Sequence, residues 1–223
     1  MHRQLAAVVF DFDYTLADSS RGVAVCIDLA MHVLGLPEPS FEAVCRTIGL
    51  SLEETLVALA GEAARPLAPE FSSLFMAKAD EVMVPFTTIY PGVRDLLSRL
   101  RERRLRLGIV SSKFRFRIEA VLLRDGLLES VDTIVGGEDV AVLKPDPEGL
   151  LEVIRRLGVS PTATLYVGDS VVDAQTAQRA GVRFAPVLTG ATPGTAFAQY
   201  PLCGTLRRAT DLIDLVDGLT LAP

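Results

Sequence analysis

The stretch VVFDFDYTLADSS, Val8 to Ser20, ends an apolar run with two aspartates one residue apart, Asp11 and Asp13, and adds a third at Asp18. From Leu5 onward the run is rich in Val and Phe and does not alternate with polar residues. That is the pattern of a strand buried on both faces. Acids gathered where such a strand ends call for a chemical reason.

Similar runs recur at Leu105–Val110, Thr133–Val135, Thr164–Val167 and Val182–Val187. Helical patterns lie between them, among them FRIEAVLLRDGL, PEGLLEVIRRLG and VVDAQTAQRAG, the last two closing on Gly158 and Gly181 as helix C-termini do. Strands alternating with helices of this length predict an α/β fold with a parallel sheet covered by helices on both sides. One region breaks the alternation. Ser19 to about Met83 holds helical patterns only, including SLEETL with a capping-box spacing of Ser51 and Glu54. It reads as a helical insertion after the first strand, hinged near Ala17–Ser19 and Pro85–Pro91.

In open parallel sheets, ligands bind beyond the carboxyl ends of the strands. Each polar cluster here falls at such an end or in a loop before a helix: Asp11, Asp13 and Thr15; Ser111 to Lys113; Lys144 in VLKPDPE; and Asp169 with Asp173 in GDSVVD. In the Lys144 loop, Asp146 can cap and Pro147 can take the first helical position. Asp11 and Asp13 lean the same way if the strand persists through them. Asp169 and Asp173 share a face if a helix starts there. Each cluster alone fits a turn or a cap. All of them together at strand ends do not, because several converging carboxylates repel unless a hard divalent cation such as Mg²⁺ sits among them.

The bulk numbers agree with an ordinary folded chain. The 223 residues are 49% hydrophobic and 22% charged, enough for a sizeable core. A net charge of −6 argues against general nucleic-acid binding, though not against an anionic substrate in a locally positive pocket. Cys26, Cys45 and Cys203 are odd in number and far apart, as expected of free thiols in a reducing cytoplasm. The apolar start LAAVVF is too short for a signal-peptide core or a membrane span, so a cytoplasmic protein without a membrane partner is expected. There is no GxxxxGK loop, no GxGxxG after a strand and no GxSxG elbow. His2 and His32, the only histidines, lie outside the clusters, which disfavours a Ser–His–Asp triad or a histidine zinc site.

DFDYTLADS, GIVSSK, LKPDPE and VGDSVVD resemble, in order, the four motifs of the haloacid dehalogenase-like (HAD) hydrolase superfamily. IYPGV, TIGLSLEETL and IVGGEDV are similar to its phosphoglycolate phosphatase subgroup. The resemblance implies a Rossmann-like core, residues 1–17 and 89–223, with an inserted all-helical C1 cap, residues 18–88. It implies a Mg²⁺-dependent phosphatase acting on a small phosphorylated metabolite, as a monomer or homodimer. Asp11 then matches the nucleophile that forms an aspartyl-phosphate, and Asp13 the general acid/base. The metal is expected on the carboxylates of Asp11 and Asp169 and the backbone carbonyl of Asp13, with Asp173 orienting the site from behind. Ser111 and Lys144, with the N–H groups of Phe12 and Ser112, match the phosphate binders.

Tyr14 stands where many members have Gly. Thr47, which opens the stretch similar to the substrate-facing cap loop, and Arg46, which directly precedes it, are expected to set specificity, Arg46 by meeting a second anionic group. Asp13 separates the chain from the dehalogenases, which lack that aspartate. Pyrophosphatase, nucleotidase and sugar-phosphate phosphatase readings remain open on the same fold. A phosphoglucomutase-like phosphotransferase is less favoured by Thr15, and a non-catalytic HAD-like binding protein by the full set of catalytic positions.

Overall fold

The computed structural model describes residues 5–221, so His2 lies outside the described residues. The chain divides into two compact units, Met1–Ala17 with Ile89–Pro223, and Asp18–Thr88.

Along the chain, β1 (Ala7–Phe10) opens the first unit, and β2 (Ala17–Asp18) leads into the second. That second unit is helical: α1 (Ser20–Val33), α2 (Phe41–Cys45), α3 (Leu52–Ala60) and α4 (Ala68–Phe86). The chain leaves it through β3 (Thr88–Ile89), which pairs with β2 as a separate two-stranded sheet. The apolar positions of α1 and α4 recur at helical spacing. Val23, Ile27, Ala30 and Met31 pack with Phe71, Phe75, Ala79 and Leu56 in one buried cluster. Ser51 and Glu54 form the expected capping box at α3. At α1 the Asp18 carboxylate accepts a hydrogen bond from the Ser20 N–H at 2.9 Å, and the Ser19 side chain makes no cap bond. Pro85, expected in the hinge, sits in the last turn of α4.

The first unit resumes with α5 (Val93–Glu102), β4 (Arg106–Val110), α6 (Arg115–Arg124), β5 (Thr133–Val135), α7 (Glu148–Leu157), β6 (Thr164–Gly168), α8 (Val171–Ala180), β7 (Arg183–Pro186) and α9 (Leu212–Leu221). Five strands form one parallel sheet in the order β5-β4-β1-β6-β7. β1 is central and wholly buried, which explains its unbroken apolar composition. Ala7 and Val9 face α7 and α8 in one cluster with Val153, Ala174 and Ala177. Leu96, Leu97 and Leu100 of α5 are buried, as are Leu212, Ile213 and Val216 of α9, and α5 packs on both β4 and α9. From β1 the chain steps to β4 and β5 on one side, then returns to place β6 and β7 on the other. The loops after β1 and β6 therefore diverge, leaving a crevice at their carboxyl ends. Among the described residues no helix is long and apolar enough to cross a membrane.

The edge of the sheet is tied by one carboxylate. Asp132, just before β5, accepts the Leu107 N–H at 2.8 Å and pairs with Arg101 at 3.1 Å and Arg106 at 3.3 Å. Burial alone would raise its pKa, but the Leu107 N–H and these guanidinium groups outweigh burial and hold it below the ordinary carboxylate value. A depressed carboxylate stabilises the fold above its unfolded pKa, and that stability is lost as pH falls through the folded-state pKa. Asp132→Ala should lower the unfolding free energy by about 1–2 kcal/mol in urea melts near neutral pH. The deficit should shrink as the medium is acidified below the carboxylate range. A deficit that stays constant with pH would show that the charge of Asp132 is not what stabilises the edge.

Candidate functional site

The crevice beyond β1 and β6 collects the acids. β1 ends at Phe10, and the Asp11 N–H still donates to Val167 O at 2.8 Å, so Asp11 leaves the sheet as its next residue. The chain then turns sharply: the N–H groups of Thr15, Leu16 and Ala17 all point back to Phe12 O. Tyr14 has a φ of 59°, the left-handed conformation that glycine adopts without cost, and its side chain is buried. The strand therefore does not persist through Asp13, and the two aspartates take different lysine partners. Asp11 Oδ1 accepts from Lys144 Nζ at 2.7 Å, whereas Asp13 Oδ2 pairs with Lys113 Nζ at 2.9 Å.

Asp169 directly follows β6, and Asp173 lies in the first turn of α8. Carboxylate oxygens of Asp11, Asp169 and Asp173 lie within 4.8 Å of one another, all on buried residues. Asp173 is saturated by its neighbours. Its Oδ1 accepts from Tyr166 Oη at 2.6 Å and Lys144 Nζ at 2.7 Å. Its Oδ2 accepts from Ser170 Oγ at 2.6 Å and the Ser170 N–H at 3.1 Å. Gly168 permits this packing, since a Cβ there would lie 2.5 Å from Asp173 Cγ. Asp169 is approached from the other side by Gly190, where a Cβ would stand 1.8 Å from Asp169 Oδ2.

Lys144 reaches the cluster from a loop held by its own backbone contacts. The Glu148 carboxylate accepts the N–H groups of Ala141 and Val142, and Arg179 donates to Pro145 O at 3.1 Å. The start of α7 is offset by one residue from expectation. Pro147 is the N-cap, and Asp146 Oδ1 accepts the Glu148 N–H at 2.9 Å. Ser111 follows β4 with its side chain buried, and its Oγ accepts the Lys113 N–H at 3.3 Å. Among the described residues the N–H groups of Phe12 and Ser112 have no hydrogen-bond partner.

The electrostatics follow from this packing. Burial, opposed by Lys144 and reinforced by Asp173 and Asp13, pushes Asp11 up to about 7. Burial and repulsion from Asp173 and Asp11 push Asp169 well above the carboxylate range. For Asp173, burial is outweighed by Lys144 and by the hydrogen bonds from Ser170 and Tyr166, which hold it low. Burial and the Asp173 charge raise the Tyr166 phenol, so its hydroxyl remains a donor. Counted formally among the described residues, the four acids Asp11, Asp13, Asp169 and Asp173 are balanced by ion pairs to two cations, Lys113 and Lys144. The negative charge left over equals the charge of one divalent cation. Asp11 and Asp169 keep oxygens directed at the centre, whereas those of Asp173 are spent on donors. The donor set therefore fits a hard divalent cation on Asp11 and Asp169, with Asp173 behind them.

Lys113, Tyr166 and Gly190 are parts of this site that the sequence did not single out. Lys113 stood visible in the strand-end cluster SSK, without an assigned role, and that position was a usable signal. Tyr166 is hidden inside an apolar strand, and the contact of Gly190 depends on how the chain returns after β7. Two expected residues lie in the helical unit. Arg46 is exposed and paired with Glu42 at 2.6 Å, and the buried Thr47 hydroxyl donates to Val44 O at 2.8 Å.

The model of the haloacid dehalogenase-like hydrolase family matches residues 8–187. The chain is 35% identical to the phosphoglycolate phosphatase of Pseudomonas putida over 185 residues, which span 79% of this chain and 66% of that protein. It is 32% identical over 217 residues to the phosphoglycolate phosphatase of Salmonella paratyphi A, covering 88% of this chain and 86% of that one. The crystal structure of a Bacteroides fragilis protein described as a haloacid dehalogenase-like hydrolase matches with a TM-score of 0.89 at 39% identity, covering 94% of this chain and all of that one. A parallel sheet with its acids at the ends of β1 and β6, and a family match running through both, lead to one assignment: the chain belongs to the haloacid dehalogenase-like hydrolase family.

Proposed function

We propose that the chain is a cytoplasmic Mg²⁺-dependent phosphatase that hydrolyses a small phosphate monoester of the phosphoglycolate type through an aspartyl-phosphate on Asp11. The observation that carries this reading is the Asp11 carboxylate itself. It stands at the end of the central strand, with one oxygen on Lys144 and a surplus of negative charge around it that suits a cation and not a second anion. The names of the Pseudomonas and Salmonella relatives support the substrate class, and the three free cysteines suit a reducing compartment.

Asp11 attacks phosphorus, and the ester oxygen departs with a proton from Asp13. Asp13 then takes a proton from the water that attacks the same phosphorus, which returns Asp11 as a carboxylate. The pairing of Asp13 supports this role. Lys113 holds Oδ2, while Oδ1 has no hydrogen-bond partner and is free to exchange a proton. Ser111 Oγ, Lys144 Nζ and the free N–H groups of Phe12 and Ser112 suit the oxygens of the phosphoryl group. Asp11, Asp169 and the Asp13 carbonyl would hold Mg²⁺, which would supply the positive charge that lets a carboxylate meet a phosphate.

Asp11→Asn should lower kcat for p-nitrophenyl phosphate by at least about a hundredfold, because the amide is a poor nucleophile. Chelation with EDTA should abolish wild-type turnover, and added Mg²⁺ should restore it. A variant that keeps more than about a tenth of kcat, a loss of only ~1.4 kcal/mol, would remove Asp11 as the nucleophile.

Gly190→Ala tests the metal position separately. The new Cβ must displace the Asp169 carboxylate. Mg²⁺ affinity by isothermal titration should fall about 10- to 100-fold, the scale seen when the support of a metal ligand is disturbed. Unchanged affinity would place the ion away from Asp169.

A further inference from the structure

A second cavity lies in the same unit, outside the carboxylate cluster. It encloses about 330 Å³ and is lined by Tyr90, Pro91 and Val93 on one side and Thr189, Arg207 and Arg208 on the other. That volume and the mix of apolar walls with a few convergent polar groups are typical of small-molecule sites.

Its polar side is built by the chain's return after β7. Leu188 N donates to Leu206 O and Leu206 N to Pro186 O, each at 2.9 Å, so the segment bearing the arginines runs beside the segment bearing Thr189. The Asp211 carboxylate accepts the backbone N–H groups of Arg207 and Arg208 at 3.1 and 3.2 Å, which fixes their backbone. Among the described residues neither guanidinium group makes an ion pair or a hydrogen bond. Two adjacent unpaired arginines thus lie on one cavity wall, in a chain whose net charge is −6. Several exposed arginines elsewhere pair with acids, among them Arg65 with Glu62, Arg103 with Asp217 and Arg155 with Glu152.

The cavity also shares a wall with the carboxylate site. Thr189 lines it, donates its hydroxyl to Tyr14 O, and is followed by Gly190, the residue pressed against Asp169. We propose that this cavity is a second anion site, in which Arg207 and Arg208 clasp a carboxylate or phosphate group of a small metabolite beside the carboxylate cluster. Guanidinium pairs suit such planar or multi-oxygen anions, because their forked donors match the spacing of the oxygens. The anion is either the non-reacting end of the substrate or a separate small effector; the recognition chemistry is the same.

Malonate is the probe, titrated calorimetrically at saturating Mg²⁺ into the wild type, Arg207→Gln/Arg208→Gln and Ser111→Ala. Thermal melts confirm that each variant folds. Binding to the wild type should weaken by about tenfold or more in the arginine variant, as expected for lost charged hydrogen bonds, and persist in Ser111→Ala. No binding to the wild type, equal binding to the arginine variant, or loss in Ser111→Ala would each overturn the assignment. This measurement does not depend on turnover, so its failure is separable from failure of the phosphatase reading. The source of the anion follows from KM in the arginine variant. A rise for phosphoglycolate without one for p-nitrophenyl phosphate identifies the substrate's own carboxylate, and no rise for either identifies a separate effector.

Discussion

The structure depends on keeping carboxylates together where they repel. Asp11, Asp169 and Asp173 converge within 4.8 Å in a buried crevice, and an unpaired buried charge costs several kcal/mol. Lys144 meets only part of the deficit by bridging Asp11 and Asp173. The rest of the unit can be read as the means of holding this arrangement in place. A parallel sheet with β1 at its centre brings two strand ends side by side. The loop of Lys144 is pinned by Glu148 and Arg179, and α8 starts on a capping box that also fixes Asp173.

Neighbours give the four acids different tasks. Asp173 spends its oxygens on Tyr166, Ser170 and Lys144 and stays ionised, so it acts as a fixed negative charge that aims the lysine. For Asp11 burial outweighs its one bond to Lys144, and for Asp169 burial and repulsion dominate, which is why both are pushed toward the protonated form. In this cluster a proton and a divalent cation answer the same need. Asp13 stands apart, held through one oxygen by Lys113. Residues of identical chemistry are thus set apart by environment alone, and the proposed mechanism gives each a different role.

Much of this was legible in the sequence. Apolar runs marked the strands, because buried parallel strands carry no polar alternation, and acids at their ends marked the crevice. Lys144 was legible from the PDP that follows it. What sequence could not give were contacts set by distant return paths. The Tyr166 hydroxyl looks like any strand aromatic until α8 places Asp173 over it. Gly190 looks like a turn residue until the chain after β7 lays it on Asp169. Asp11 and Asp13 would lean the same way only if the strand persisted through them, and β1 ends at Phe10, before a turn that the apolar run does not announce. In the helical unit, Arg46 was singled out by its position in a loop, but its guanidinium is engaged by Glu42, a local i,i+4 pairing that its spacing also allowed.

The central claim is that the phosphoryl group passes through Asp11, and the most direct measurement is to find it there. A single turnover at saturating Mg²⁺, quenched rapidly in acid, would be digested and read by peptide mass spectrometry. Asp11 as nucleophile requires one phosphoryl group on the peptide that contains it, appearing before inorganic phosphate and decaying as phosphate accumulates. A phosphoryl group on any other residue, or phosphate released at the full rate with Asp11 never modified, would contradict it.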